Sequence, residues 1–93
     1  MSKYRKKPVI VEAWPVKEIW HNANSNWREL PSCIQEAYEK GGWVFLGNGD
    51  IVIPTIVGSV KALNGDFIIK NTNGEFYPCH PDIFENTYEK VTD

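Results

Sequence analysis

The chain has 93 residues, of which 42% are hydrophobic, and a formal net charge of -2. This length predicts a single domain, 1–93, with a modest core, and the apolar fraction excludes a low-complexity or disordered chain. Because the net charge is small and negative, the protein as a whole has no positive electrostatic potential that would attract nucleic acid or an anionic membrane.

The first predicted element is a strand from Tyr4 to Trp14, in which residues of two faces alternate. A basic cluster at Lys3 and at residues 5–7 precedes it and is typical of a solvated edge. The apolar run 9–11 is too short for a signal peptide or a membrane span. We therefore expect a cytosolic protein that has no membrane partner and keeps its two cysteines reduced.

The next segment, Lys17 to Asn26, is rich in asparagine and predicts a loop. A helix is predicted to open at Pro31, because proline suits the first helical position. The apolar stripe of this helix is Leu30, Ile34, Ala37 and Tyr38, and its stop is Lys40 with Gly41 and Gly42.

Short strands separated by glycine turns are predicted for the second half. The Asn64-Gly65 and Asn73-Gly74 pairs favour hairpins, because both residue types tolerate positive φ. Pro81 predicts a further helical turn, and Tyr88 to Val91 a terminal strand. The sequence thus predicts an α+β fold: an antiparallel β-meander of five to six short strands, strongly twisted or half-barrel, with one α-helix packed on it. The strand ranges are 43–46, 51–53, 58–62, 67–70 and 75–77.

Both ends of the chain resemble a family of small phage and prophage proteins. The resemblance is carried by the opening Tyr4-Arg5-Lys6-Lys7-Pro8-Val9-Ile10-Val11-Glu12-Ala13 and by the glycine-punctuated second half. That family is grouped around a Pro-Gly-Asp-Tyr-Gly (PGDYG) motif, which this chain replaces with Asn64-Gly65-Asp66-Phe67-Ile68. The resemblance implies a phage or prophage origin and expression in a bacterial cytoplasm. It implies no reaction, cofactor or catalytic residue.

Cys79-His80 is the sequence feature closest to a catalytic pair. Adjacent residues on a strand point to opposite faces, so the favoured interpretation is a structural cysteine. A zinc site would need Cys33, Cys79, His80 and His21, which lack the close spacing of zinc ligands. Neither a metal nor another cofactor is therefore predicted, and an enzyme is the least supported class.

The carboxylates are interpreted as turn and cap residues. Asp50 and Asp66 each follow a turn glycine, where a short acidic side chain accepts backbone N–H groups. Asp82 follows Pro81 at a predicted helix start, where negative charge is favourable. Glu12 and Glu75 are not explained in this way, and one of them is expected to face a shallow groove.

Four tryptophans are many for a domain of this size. Trp14 and Trp43 lie in predicted strands and are expected in the core. Trp20 and Trp27 bracket the asparagine-rich segment, where they either close the bottom of the core or bind a partner. The residues of the candidate site are Trp20, His21, Asn22, Asn24, Trp27 and Arg28.

Two classes of function follow from these features. The favoured one is a non-enzymatic protein-interaction module that binds a host or phage protein. The alternative is a small-ligand protein that binds or sequesters a nucleotide-like molecule, with arginine or lysine for phosphate and tryptophan for the base. A homodimer is a further candidate assembly, because an edge strand invites pairing.

Overall fold

The computed structural model describes residues 2–4 and 10–91. Within these ranges the chain forms six short strands, three α-helices and one 3-10 turn, so the predicted α+β class is confirmed. In chain order the elements are β1 (Glu12–Pro15), α1 (Val16–Ser25), the 3-10 turn (Trp27–Glu29), α2 (Ser32–Lys40), β2 (Val44–Phe45), β3 (Ile51–Thr55), β4 (Gly58–Ala62), β5 (Phe67–Lys70), β6 (Phe76–Cys79) and α3 (Pro81–Thr87).

The strands form two antiparallel sheets of three strands each, in the orders β1-β5-β6 and β2-β3-β4. Strand β1 is the first of the described strands but pairs with the fifth, with Glu12 opposite Lys70. Of the predicted Tyr4–Trp14 strand, residues 12–14 belong to β1, Ile10 and Val11 belong to no strand, and residues 5–9 lie outside the described ranges.

The turn at Asn64-Gly65 differs from the prediction, because it leads from one sheet to the other and closes no hairpin. The backbone N–H of Asp66 donates to the carbonyl of Leu63 at 2.8 Å, and Gly65 is not among the glycines with positive φ. The hairpin prediction at Asn73-Gly74 is confirmed, since it joins β5 to β6 and Gly74 has φ 82°.

Helix α1 occupies the segment that the sequence predicted to be a loop, so that prediction is wrong. Its apolar residues Val16, Ile19, Trp20 and Ala23 recur at helical spacing. Val16 and Ile19 are fully buried, and the other two pack against the core. The side chains of Asn24 and Ser25 donate hydrogen bonds to the backbone carbonyls four residues earlier. These polar residues therefore add side-chain hydrogen bonds to the last turn of the helix.

Helix α2 lies where the sequence predicts it and ends as predicted, but it begins at Ser32, one residue later than the predicted start at Pro31. Pro31 immediately precedes it with an extended backbone, and Gly41 ends it with φ 98°. Ile34 is fully buried, whereas Tyr38, at the end of the predicted stripe, is 42% exposed. The helix therefore covers the core with its first turns and leaves an aromatic ring at its edge.

One hydrophobic core joins α1, α2 and both sheets. It includes Ile51 and Ile53 of β3, Ile68 of β5 and Phe76 of β6. Trp43 is buried in this core, with its ring edge against Phe76 at a centroid distance of 5.3 Å. Trp14 is half-buried and packs against the same cluster, so the expected core placement of both tryptophans is confirmed.

Helix α3 begins at Pro81, as predicted, and is attached through an aromatic stack. The ring of Phe84 lies parallel to that of Phe67 on β5, with centroids 4.1 Å apart. Residues 88–91 form no strand, contrary to the prediction. The Tyr88 backbone N–H instead bonds to the carbonyl of Phe84, and its ring packs against Phe84.

Candidate functional site

An aromatic cluster formed by Trp27, Tyr38 and Phe45 lies at the surface between the 3-10 turn, α2 and β2. Trp27 meets Tyr38 edge-to-face at a centroid distance of 5.0 Å, and Tyr38 meets Phe45 at 5.9 Å. Aromatic pairs of this kind contribute about 0.5–1.5 kcal/mol each beyond their burial. The three rings therefore stabilise one another, although each of these residues remains at least partly accessible to solvent.

Only Trp27 of this cluster was predicted as a site residue. The helical spacing places Tyr38 in the apolar stripe of α2, and Phe45 lies within the predicted strand 43–46 with no role assigned to it. Arg28 follows Trp27 directly in the 3-10 turn and is exposed. One signal in the sequence could have indicated that Tyr38 is a surface residue. Tyr38 stands at the end of the apolar stripe, where the helix face turns towards solvent.

Trp20 lies near the end of β2, the strand that carries Phe45, but its side chain has a different role from those of the aromatic cluster. Its indole N–H donates to the backbone carbonyl of Leu46 at 2.7 Å, and the ring packs against the core. A tryptophan that is half-buried with its polar N–H satisfied holds α1 against the end of β2.

A small groove, here named the turn groove, lies between α1 and the turns that follow β2 and β4. Its volume is about 300 Å³. The predicted site residues Trp20 and His21 both contribute to it, and His21 is exposed. The complete lining is Lys17, Trp20, His21, Gly47, Asn48, Gly49 and Asn64.

The wall of the turn groove is built from two interlocked turns. The Asp50 carboxylate accepts the backbone N–H of Asn64 at 2.9 Å, and the Asn64 amide donates back to the carbonyl of Gly49 at 3.0 Å. Asp66 accepts the backbone N–H of Leu63 at 2.9 Å. The predicted turn roles of Asp50 and Asp66 are therefore confirmed.

The structure divides the predicted site residues. Trp20 and His21 meet in the turn groove, whereas Trp27 belongs to the aromatic cluster. Asn24 is exposed on α1 and its amide donates to the carbonyl of Trp20. Tryptophan and arginine do not converge on the turn groove, because Arg28 is not part of its lining.

Cys79 and His80 bond to the backbone around them. The Cys79 thiol donates weakly to the carbonyl of His80 at 3.6 Å, and His80 Nδ1 accepts the backbone N–H of Asp82 at 3.3 Å. Burial, and then the charge of Asp66, raise the pKa of Cys79. Both effects favour the protonated thiol, which is a weak nucleophile.

The remaining cysteine and the two unexplained glutamates lie near each other. Burial raises the pKa of Cys33 above its ordinary value. Glu12 pairs with Lys70 at 3.8 Å. Glu75 accepts a hydrogen bond from the Tyr77 hydroxyl and lines a second, larger groove beside α2, which agrees with the prediction that one of these glutamates faces a groove.

Among the described residues, no group of three or more His, Cys, Asp and Glu side chains is placed to hold a metal ion. In the same part of the chain, no helix has the length and apolar character needed to cross a membrane. No protein-family model, curated protein or solved structure matches the chain.

Proposed function

We propose that this protein is a non-enzymatic protein-interaction module, and that its aromatic cluster contacts a host or phage protein in the cytoplasm of a bacterium. The observation that carries the proposal is the position of the aromatic cluster at one surface: Tyr38 is 42% exposed, and Trp27 and Phe45 pack against the core but remain partly accessible to solvent. Tryptophan and tyrosine are enriched at the centres of protein interfaces, because each buries a large area at a low entropic cost.

The neighbouring residues suit such an interface. Arg28 is exposed next to Trp27, and arginine is the third residue type that is enriched at interface centres. The setting in a phage or prophage rests on the family resemblance of the two ends of the chain.

The experiment is an affinity pull-down from a bacterial lysate with mass spectrometry of the bound proteins. The test variants are Arg28→Glu and Tyr38→Ala, which alter exposed side chains, and the control is Tyr4→Ala, at a side chain that is 95% exposed. We expect the wild type and the control to retain a stoichiometric protein that both test variants lose. Equal retention by all four proteins, or no specific protein with the wild type, would contradict the proposal.

The turn groove supports the second candidate, a protein that binds a nucleotide-like ligand. Lys17 could contact a phosphate, the Trp20 ring could stack on a base, and the side chains of Asn48 and Asn64 could bond to its edge. Its volume of about 300 Å³ is at the lower end of the range for small-molecule sites.

Thermal unfolding with a panel of nucleotides separates the two candidates. A ligand present at 100 times its Kd stabilises the folded state by about 2.7 kcal/mol, and Lys17→Ala should reduce that gain. Lys90→Ala is the matched control, because Lys90 is exposed and lies outside the groove. If no nucleotide raises the melting temperature, the second candidate is wrong and the first is unaffected.

A further inference from the structure

The tip of the β3–β4 hairpin exposes two branched apolar side chains. Ile56 is 79% exposed and Val57 is 83% exposed. Hairpin tips usually carry Gly, Asn, Asp or Ser, whose conformational and hydrogen-bonding properties suit a turn. Two adjacent aliphatic residues at this position therefore leave an apolar surface uncovered in the isolated chain.

This tip is held in a fixed shape by Thr55 and Gly58, the residues on either side of it. The Thr55 hydroxyl donates to the carbonyl of Gly58 at 2.6 Å and accepts the backbone N–H of Val57 at 3.3 Å. Gly58 has φ 114°, a conformation that few other residues adopt. A tip ordered in this way loses little conformational entropy when it is buried against another molecule.

A groove lies directly beside the tip, here named the hairpin groove, with a volume of about 470 Å³. Ala37, Trp43 and Phe76 supply apolar surface, and Ile56 itself is part of the lining. The groove falls within the range of about 300–1,000 Å³ that accommodates a drug-sized ligand, so it has room for a few aliphatic side chains. The remaining lining residues are Cys33, Glu36, Lys40, Gly41, Pro54, Thr55, Lys70, Gly74 and Glu75.

The charges of the hairpin groove are balanced. Glu36 and Glu75 are matched by Lys40 and Lys70, so the lining carries two charges of each sign. Such a surface does not favour a strongly acidic or basic partner. It is complementary to a second copy of itself, in which carboxylates and ammonium groups can face each other across a two-fold axis.

We propose that two copies of this chain form a symmetric dimer in which the Ile56–Val57 tip of each copy inserts into the hairpin groove of the other. The tip borders the groove of its own copy. A two-fold axis near Ile56 therefore places the tip of each copy at the groove of the other, and the two identical contacts complete a closed dimer. The dimer uses other residues than the aromatic cluster, so it is independent of the proposed protein-interaction function.

The area buried in the contact determines the protein concentration at which the dimer should form. Stable interfaces bury about 1,200–2,000 Å² in total, and two short tips with their groove rims provide a contact at the small end of that scale. We therefore expect a weak dimer that dissociates on dilution, with a dissociation constant in the micromolar to millimolar range.

Sedimentation velocity of the full chain over this concentration range tests the proposal. We expect Ile56→Ser combined with Val57→Ser to weaken dimerisation by about a hundredfold or more, because four buried aliphatic side chains are lost per dimer. The matched control is Ile83→Ser, on α3, where Ile83 is 59% exposed. Circular dichroism checks that all variants are folded, which is expected because the altered side chains are exposed.

A wild type that remains monomeric at near-millimolar concentration would overturn the proposal, and so would a tip variant that dimerises like the control. A second measurement locates the contact. A spin label is attached at Val57→Cys in a Cys33→Ser, Cys79→Ser background, and this protein is mixed with isotope-labelled protein that carries no spin label. We expect broadening of the Lys40, Gly41 and Gly74 amides in the isotope-labelled copies, whereas broadening confined to other surfaces would contradict the proposed arrangement.

Discussion

The Asp50 carboxylate accepts the backbone N–H of Asn64 at 2.9 Å, and so joins the turn that precedes β3 to the turn that follows β4. The two Gly-Asp turns of the chain are thus bonded to each other as well as within themselves. A built Cβ at Gly49 would lie 2.7 Å from the Asn64 amide nitrogen, which shows how closely the two turns approach.

Asp50→Ala should lower the free energy of unfolding by about 1–3 kcal/mol, because the half-buried N–H of Asn64 loses its acceptor. Urea denaturation measures this loss. Asp50→Asn is the matched control, since it keeps an acceptor oxygen and should lose less. If the alanine and asparagine variants were equally stable, the bond to Asn64 would not contribute as the structure indicates.

Gly74 and Gly65 form a natural pair for a turn experiment. Gly74 has φ 82°, so Gly74→Ala should lose about 1–2 kcal/mol through the left-handed conformation. Gly65 has no such φ, and Gly65→Ala should leave stability unchanged or raise it by at most about 1 kcal/mol. A Cβ added at either position would have no neighbouring atom within 4 Å. The difference in stability between the two variants therefore reflects backbone conformation and not a steric clash. Equal losses in thermal melts would show that the two turns do not differ in this way.

Trp20→Phe should destabilise the protein by about 1 kcal/mol, because the Leu46 carbonyl loses the indole N–H that bonds to it. Chemical denaturation followed by circular dichroism measures the change independently of tryptophan fluorescence. Tyr4→Phe, at an exposed ring, is the control and should have no effect. A Trp20→Phe variant as stable as the wild type would remove the evidence that this ring anchors α1.

The Tyr77 hydroxyl should titrate above the ordinary tyrosine range. The hydrogen bond to Glu75, followed by desolvation and the carboxylate charge, raises the pKa of Tyr77. A raised folded-state pKa means that this interaction stabilises the fold fully below the ordinary tyrosine pKa. The contribution is lost as the pH rises through the raised value.

Tyrosinate absorbance during alkaline titration measures this shift, and subtraction of the curve of a Tyr77→Phe protein isolates the Tyr77 signal. Glu75→Gln should move the pKa of Tyr77 back towards its ordinary value, because the charged acceptor is gone. Glu85→Gln, on the exposed face of α3, is the control and should leave the titration of Tyr77 unchanged. If Glu75→Gln also left that titration unchanged, the hydrogen bond between Tyr77 and Glu75 would be contradicted.

Much of the fold follows from local sequence signals. Gly41 ends α2 as the sequence predicts, the helix begins one residue after the predicted Pro31, and Gly74 lies in the predicted turn between β5 and β6. These features depend on backbone preferences of single residues, which act before any tertiary contact forms. The turn roles of Asp50 and Asp66 follow for the same reason.

The errors arise where tertiary packing decides the structure. The asparagines of α1 favour turns locally, but burial of Val16 and Ile19 outweighs that preference. The Asn64-Gly65 turn has the composition of a hairpin, yet Asp66 fixes it as a connection between sheets. The aromatic cluster could not be predicted as a unit, because Trp27, Tyr38 and Phe45 come from three separate elements.

The pairing of β1 with β5 has a consequence for how the chain acquires its fold. The sheet β2-β3-β4 and the β5-β6 hairpin are each made from one continuous stretch, whereas β1 can join its sheet only when Glu12 pairs with the distant Lys70. Closing so long a loop costs entropy before any contact repays it. The sheet β2-β3-β4 can therefore form early in folding. Strand β1 is synthesised before the other described strands, but it should be among the last of them to pair.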